Sequence, residues 1–275
     1  MNSYLDYLRH EARHTEKVGF NIFHAFHAEK SPDFYMKYLN SDLHSHSQES
    51  SIASVKVFDS IVVKRDVRPA RKRIKSKIIF ADPCYGLQGM IGEAINTLVV
   101  NNKGLPSHKL QACIYNQWLR TSVLFFERIQ SKMVVDLLTD FEVPGLLYVV
   151  FDFLHLVLEG GVFHGDCNLS NIMANNALED IKFIDFQVAI NRQCDVETGL
   201  ALQLCTLRDW RLSPYISEDD YRELVFEYFE RKFHSLSVVE AIFHRFYGHR
   251  LGSLERRARL GMVALGSAAL DSVEI

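Results

Sequence analysis

The sequence predicts an α+β chain in two parts, a small amino-terminal part rich in β-strand and a larger helical carboxy-terminal part. Three observations carry this. Two β-rich runs, Ala53 to Phe58 and Ile61 to Lys64, are joined by the tight polar pair Asp59-Ser60 and read as a hairpin. The segment Gly145 to Glu159 places Leu147, Val150, Phe151, Leu154 and Leu158 on one helical face and is apolar at most other positions, which marks a buried helix. Two short apolar runs, Val162-Phe163-His164 and Ile181-Lys182-Phe183-Ile184, each deliver a carboxylate at their edge, Asp166 and Asp185.

Taken in order, residues Met1 to about Asn40 mix aromatic and charged side chains, with Tyr4, Leu5, Leu8, Ala12 and Val18 as a helical stripe. Residues 1–45 therefore read as a helical extension packed on the β-rich part. His10, His14, His24 and His27 include spacings of three and four, but no cysteine or carboxylate set of metal-ligand spacing accompanies them, so they read as exposed helix histidines. His44-Ser45-His46-Ser47 is a polar turn. Beyond the hairpin runs a cationic stretch, Lys64, Arg65, Arg68, Arg71, Lys72, Arg73, Lys75 and Lys77, opposed only by Asp66. It makes a local positive field suited to anionic lipid head groups or a phosphorylated glycolipid, to nucleic acid, or to a solvated basic linker. No aromatic residues are interleaved for base stacking, so nucleic acid is the weakest of the three.

Tyr85 to Val100 reads as a helix through Leu87, Ile91, Ile95 and Leu98. Gly86, Gly89 and Gly92 weaken it by up to about 1 kcal/mol each. Asn101-Asn102-Lys103-Gly104 is a turn, and two apolar runs follow, Leu110 to Tyr115 and Ser122 to Phe126. Pro144 suits the first turn of the apolar helix and Gly160-Gly161 its stop. Past Phe186, a polar stretch Ala189 to Thr198 leads to a helix from Leu200 to Trp210. Ser217-Glu218-Asp219-Asp220 then looks like the capped start of a helix through Tyr221, Leu224, Val225, Tyr228 and Phe229. Val238 to about Leu270 reads as helical, with Arg256, Arg257 and Arg259 on it.

The chemistry is concentrated between His164 and Phe186. If the two apolar runs pair as a hairpin, Asp166, Asn171 and Asp185 converge. That set suits phosphoryl transfer: a metal held by Asp185 and Asn171 can bridge nucleotide phosphates, while Asp166 orients and deprotonates an acceptor hydroxyl. Positioning and charge neutralisation carry the rate of such a reaction.

The spacing His164-x-Asp166-x-x-x-x-Asn171, followed by a strand ending Ile184-Asp185-Phe186, resembles the catalytic loop and metal-binding segment of the protein-kinase-like superfamily. Gly165 stands where the eukaryotic pattern has arginine, and Gln187 where it has glycine. In regulated protein kinases that arginine commonly grips a phosphate on the activation loop, so its absence argues against that mode of regulation, and no Ala-Pro-Glu motif closes an activation segment here. His-Gly-Asp is the form seen in small-molecule and sugar phosphotransferases, among them aminoglycoside and choline kinases. With a strand ending Val62-Val63-Lys64, the basic run directly after it and a helix carrying Glu93, residues from Val55 to Trp210 are most similar to the bacterial lipopolysaccharide core heptose/Kdo kinase family.

This resemblance implies a two-lobed protein-kinase-like fold, with an N-lobe over 46–130 and a C-lobe over 131–275. It implies ATP and Mg2+ as cofactors, Asp166 as base, and Asn171 and Asp185 as metal ligands. Lys64 would touch the α and β phosphates, Glu93 would fix the head of Lys64, and Glu127 to Ile129 would offer backbone groups to the adenine edge. Ser50, Ser51, Ala53 and Ser54 would fill the phosphate-covering loop, without a glycine. The implied acceptor is a sugar of an anionic glycolipid, with residues 64–77 in peripheral contact with the inner membrane. Rival readings are an antibiotic, choline-like or protein kinase, including a bacterial effector, and a catalytically inactive kinase-like binding module.

Composition bounds these readings. The 275 residues are 48% hydrophobic, enough for a large core, and 31 basic against 34 acidic side chains leave a net charge of −3 that favours no polyanionic partner overall. Five scattered cysteines without a C-x-x-C pair read as reduced thiols in a cytoplasm. The start has no basic and apolar leader, and no stretch reaches the apolar length of a membrane span. A cytoplasmic protein is expected.

Overall fold

Strand β5, Ile61–Asp66, sits inside the sheet that organises the first part of the chain. The structure, a computed structural model, describes residues 2–26, 30–40, 46–49, 53–66, 90–116, 121–186, 189–191 and 194–247. They form an α+β chain of two units, one of the described residues up to Ile129 and one from Gln130 onward.

In the first unit the order is α1 (Asn2–Glu11), β1 (His14–Val18), β2 (Asn21–Ala25), α2 (Pro32–Asn40), β3 (His46–Glu49), β4 (Ala53–Val57), β5, α3 (Met90–Asn102), β6 (Leu110–Asn116) and β7 (Thr121–Glu127). The strands make one antiparallel sheet in the order β1-β2-β6-β7-β5-β4-β3. Both of its faces are covered. Alternation along β6 and β7 sends Cys113, Leu124 and Phe126 to one side, where Leu8 of α1 and Met90, Ala94 and Leu98 of α3 meet them. Ala112, Ile114 and Phe125 go to the other side, with Ile61, Val63 and Tyr35 of α2. A bulge between Leu110 and Ala112 resets the register of β6 before this alternation begins.

The expected hairpin from Ala53 to Lys64 is present as β4–β5, with Val57 opposite Val62. The expected helical character of residues 1 to 40 is corrected in part. Helix forms at Asn2–Glu11 and Pro32–Asn40, but His14–Ala25 is a β-hairpin that turns at Gly19-Phe20, with Gly19 at φ 60°. Pairing of β2 with β6 supplies the reason, since it buries Ile22, Phe23, His24 and Ala25 together. The reading of His14 and His24 as exposed helix histidines is therefore corrected: both lie on strands, and His24 is wholly buried. His27 and His44 lie outside the described residues.

The second unit starts with β8 (Lys132–Met133) and a 3-10 turn at Val134–Leu137, and continues with α4 (Val143–Glu159), β9 (Val162–His164), a 3-10 turn at Leu169–Asn171, β10 (Ile172–Ala174), β11 (Ile181–Phe183) and β12 (Ala189–Asn191). It closes with α5 (Val196–Leu207), α6 (Glu218–Phe233) and α7 (Ser237–Phe246). Pro144 lies in the first turn of α4, as expected, and Leu147, Val150, Phe151, Leu154 and Leu158 are buried. The helix is not buried all round, however: Asp152, Leu156 and Glu159 form an open stripe at i, i+4 and i+7. α5 starts earlier than expected because Asp195 caps it, its carboxylate accepting from the Thr198 N–H at 2.7 Å, and it ends earlier, at Leu207. Ser217 caps α6 through the Asp220 N–H at 3.1 Å. Arg256, Arg257 and Arg259 lie outside the described residues. No helix among the described residues is long and apolar enough to cross a membrane.

Candidate active site

Strand parity decides where Lys64 points. Ile61 and Val63 are buried on the α2 side of the sheet, so Val62 and Lys64 face α3. There the Lys64 ammonium lies 2.9 Å from Oε1 and 2.8 Å from Oε2 of Glu93. The pair is withdrawn from water, with Lys64 8% and Glu93 0% exposed. α3 is braced around this contact. Thr97 Oγ1 donates to the Glu93 carbonyl at 2.7 Å. At the far end of the helix, Asn101 Nδ2 donates to Ser107 Oγ and the His108 carbonyl, and its Oδ1 accepts from the Leu110 N–H.

At the end of the same sheet, Glu127 closes β7 opposite Ile61, and its N–H donates to the Lys109 carbonyl at 2.9 Å. The Arg128 N–H donates to the Ser60 carbonyl, and Ile129 follows, partly buried. Ala53 and Ser54, expected in a phosphate-covering loop, already belong to β4, while Ser50 and Ser51 lie outside the described residues. Of the basic run, Lys64 and Arg65 are on β5, and residues 67–77 lie outside the described residues.

In the second unit the two apolar runs do not pair with each other. β11 pairs instead with β10, so that Ile172 faces Phe183, and β9 pairs with β12. This corrects the simple hairpin of the two runs, and hydrogen bonds link the three segments by another route. The Ile184 N–H donates to the Asn171 carbonyl at 2.9 Å, which sets Asp185 beside the turn that carries Asn171. Asn171 Nδ2 donates to the Asp166 carbonyl at 2.8 Å, tying that turn to the Asp166 loop. Its amide nitrogen so engaged, Asn171 has Oδ1 as the atom for a cation.

His164 completes the cross-brace, and sequence reasoning assigned it no role. It is wholly buried, stacked on Phe183 at 4.5 Å, with Nε2–H donating to the Ile184 carbonyl at 3.1 Å. Its Nδ1 accepts from the Asp166 N–H at 3.3 Å, so these two partners assign the Nε2–H tautomer. The imidazole thus links the Asp166 loop directly to the segment that presents Asp185. Asn168 adds a second brace: its Oδ1 accepts from the Ser170 N–H, and its Nδ2 donates to the Asp166 carbonyl at 3.2 Å. A histidine buried in an apolar run and an asparagine opening a 3-10 turn were the available signals for these two.

Asp185 has φ 61°, a left-handed conformation that Asp tolerates better than most residues. Next to Asp166, Cys167 is buried, and burial together with the neighbouring carboxylate pushes its thiol pKa up, so it stays protonated. Among the described residues, no three His, Cys, Asp or Glu side chains gather as a metal site. The donors offered here, a carboxylate and an amide oxygen, are hard oxygens of the kind Mg2+ takes together with phosphate oxygens and water.

No family model matches the chain, and no curated protein matches it. Among solved structures it is similar to WbdD, at TM-score 0.46 and 12% identity over 83% of this chain and 47% of that one. A second WbdD structure, described as a bifunctional kinase-methyltransferase, gives TM-score 0.46 and 12% identity over 83% and 48%. WaaP in complex with acyl carrier protein gives TM-score 0.40 and 14% identity over 82% of this chain and 87% of that one. The chain spans about half the length of the WbdD structures it matches.

Proposed function

We propose that this chain is an ATP-dependent phosphotransferase that moves the γ-phosphate to a hydroxyl, and that the hydroxyl belongs to a sugar of an anionic glycolipid such as the lipopolysaccharide inner core. The observation that carries the reaction is the cross-brace of His164, Asn168 and Asn171, which holds the Asp166 loop and the Asp185 segment in one fixed arrangement. Such preorganisation is what a reaction driven by positioning requires.

In this reading Asp166 accepts the acceptor hydroxyl proton as the oxygen bonds to phosphorus and the bond to ADP breaks. Lys64, kept in place by Glu93, neutralises the α and β phosphates. Asn171 Oδ1 and the Asp185 carboxylate would hold Mg2+, which when bound offsets phosphate charge. The backbone from Glu127 to Ile129 would take the adenine edge. For the acceptor, the support is the family resemblance of the motifs and the cationic run that begins at Lys64. The second reading, an inactive nucleotide-binding or binding-only module, is favoured by the absence of glycine from Ser50 to Ser54.

Magnesium-dependent ATP turnover by the wild type is expected, with Asp166→Ala lowering kcat at least about a hundredfold, the scale for loss of a positioned general base. Calorimetry separates the readings: magnesium-dependent nucleotide binding without turnover supports the inactive module, and no such binding ends the enzyme reading. Transfer of labelled phosphate to core glycolipid, protein and aminoglycoside pools tests the acceptor, and transfer to protein alone overturns the glycolipid assignment.

A further inference from the structure

We propose that α1 and the β1–β2 hairpin form a built-in clamp that holds α3 where Glu93 grips Lys64, with Leu8 as its positioning residue. The clamp rests on geometry. Its consequence for nucleotide binding rests on the phosphotransferase reading.

α1 packs directly on α3. Leu8 is wholly buried in a cluster that joins Met90, Ala94 and Leu98, which recur every four residues along one face of α3, to Cys113, Leu124 and Phe126 of the sheet. Glu93 immediately precedes Ala94, so a roll or slide of α3 that empties the Leu8 socket also moves the Glu93 carboxylate off Lys64. A second bolt joins the helix ends, where Asn102 Nδ2 donates to Glu11 Oε2 at 2.8 Å.

The clamp itself is anchored to the sheet. Immediately after α1 the Arg13 N–H donates to the Ala25 carbonyl at 2.8 Å, and β2 pairs along its length with β6. Only Ala12 and Arg13 separate α1 from β1. Lys64 is therefore referenced to the sheet through β5, and Glu93 to the same sheet through α3, which packs directly on β6 and β7 and also against α1. Both halves of the ion pair are set by one framework, of which α1 and the β1–β2 hairpin are the part encoded in the first 26 residues.

The test uses the full chain and reads the Lys64 amine with an acylating reagent and mass spectrometry, alongside calorimetry with Mg-ATP. Leu8→Ala is expected to raise the Lys64 labelling rate by about tenfold, as a local opening of α3 would, and to weaken Mg-ATP binding by a similar factor. Asn102→Ala is expected to raise labelling by about threefold, since it removes one exposed hydrogen bond. Phe34→Ala, which loosens α2 on the opposite face of the sheet, is expected to lower the melting temperature without exposing Lys64. Labelling unchanged in Leu8→Ala, or raised equally in Phe34→Ala, overturns the clamp. If Leu8→Ala does not fold, Asn102→Ala decides, and labelling there equal to wild type overturns it. If the labelling pattern holds but the wild type binds no Mg-ATP, the clamp stands and the phosphotransferase reading fails.

Discussion

Lys64 and Glu93 can be asked separately about stability and about chemistry. A buried ion pair recovers its desolvation cost only while both partners remain. Glu93→Leu removes the carboxylate that the Lys64 ammonium contacts at 2.8 Å and is expected to cost about 3–5 kcal/mol in urea unfolding. Lys64→Met with Glu93→Leu removes both charges and is expected to return close to wild-type stability while losing nucleotide binding. A double variant as unstable as the single one would show that the pair is kept for structure. At this scale the sequence showed which residues carry charge and in what order, and the structure brings Lys64 and Glu93 together. It did not show His164 as a brace, because that role consists of contacts to Ile184, 20 residues away, and to the Asp166 backbone, which no local pattern encodes.

Among elements, α3 is also fastened by a single side chain at its end. Asn101 satisfies the Ser107 hydroxyl, the His108 carbonyl and the Leu110 N–H, welding the helix to the start of β6. Asn101→Ala is expected to cost about 1–3 kcal/mol, the scale for leaving buried polar groups unpaired, read as a lower urea midpoint with an unchanged slope. Asn101→Asp keeps the acceptor for Leu110 but sets a carboxylate oxygen against the His108 carbonyl, and is expected to cost at least as much. Equal midpoints for Asn101→Ala and wild type would refute this weld. The elements legible in advance were those with strong local signals: the β4–β5 hairpin with its Asp59-Ser60 turn, and α6 with its Ser217 cap. The β1–β2 hairpin was not, because His14–Val18 is short and polar and becomes a strand only through β2 and β6. Likewise the apolar composition of α4 concealed the open stripe at Asp152, Leu156 and Glu159, since period alone does not say which neighbours are present.

For the molecule as a whole, the acid limb of stability follows from its buried histidines. His24 is held neutral, its pKa pulled from 6.5 down to about 4, first by burial and then by the nearby Arg9, while Thr15 Oγ1 sits 3.0 Å from Nδ1. Burial also lowers the pKa of His155. The unfolded chain binds these protons below about pH 6.5 and the folded one resists them. Stability is thus complete above that pH and declines as pH falls toward 4. Melting temperatures by circular dichroism are expected to be level from pH 7 to 8 and to fall between 6.5 and 4, less steeply in His24→Phe. A wild-type profile level down to pH 4 contradicts this. The α+β class was legible because strand-like and helix-like runs segregate along the chain, whereas no comparable run marks the acceptor. The sheet also imposes an order in time. Asn21 on β2 hydrogen-bonds Asn116 on β6 across 95 residues of chain, and at about 5–20 residues per second of synthesis that partner emerges roughly 5–20 s later. β2 therefore waits with its β6-facing edge unpaired until that strand is made, and in a growing chain halted before Leu110 the α1 clamp has no β6 to anchor it.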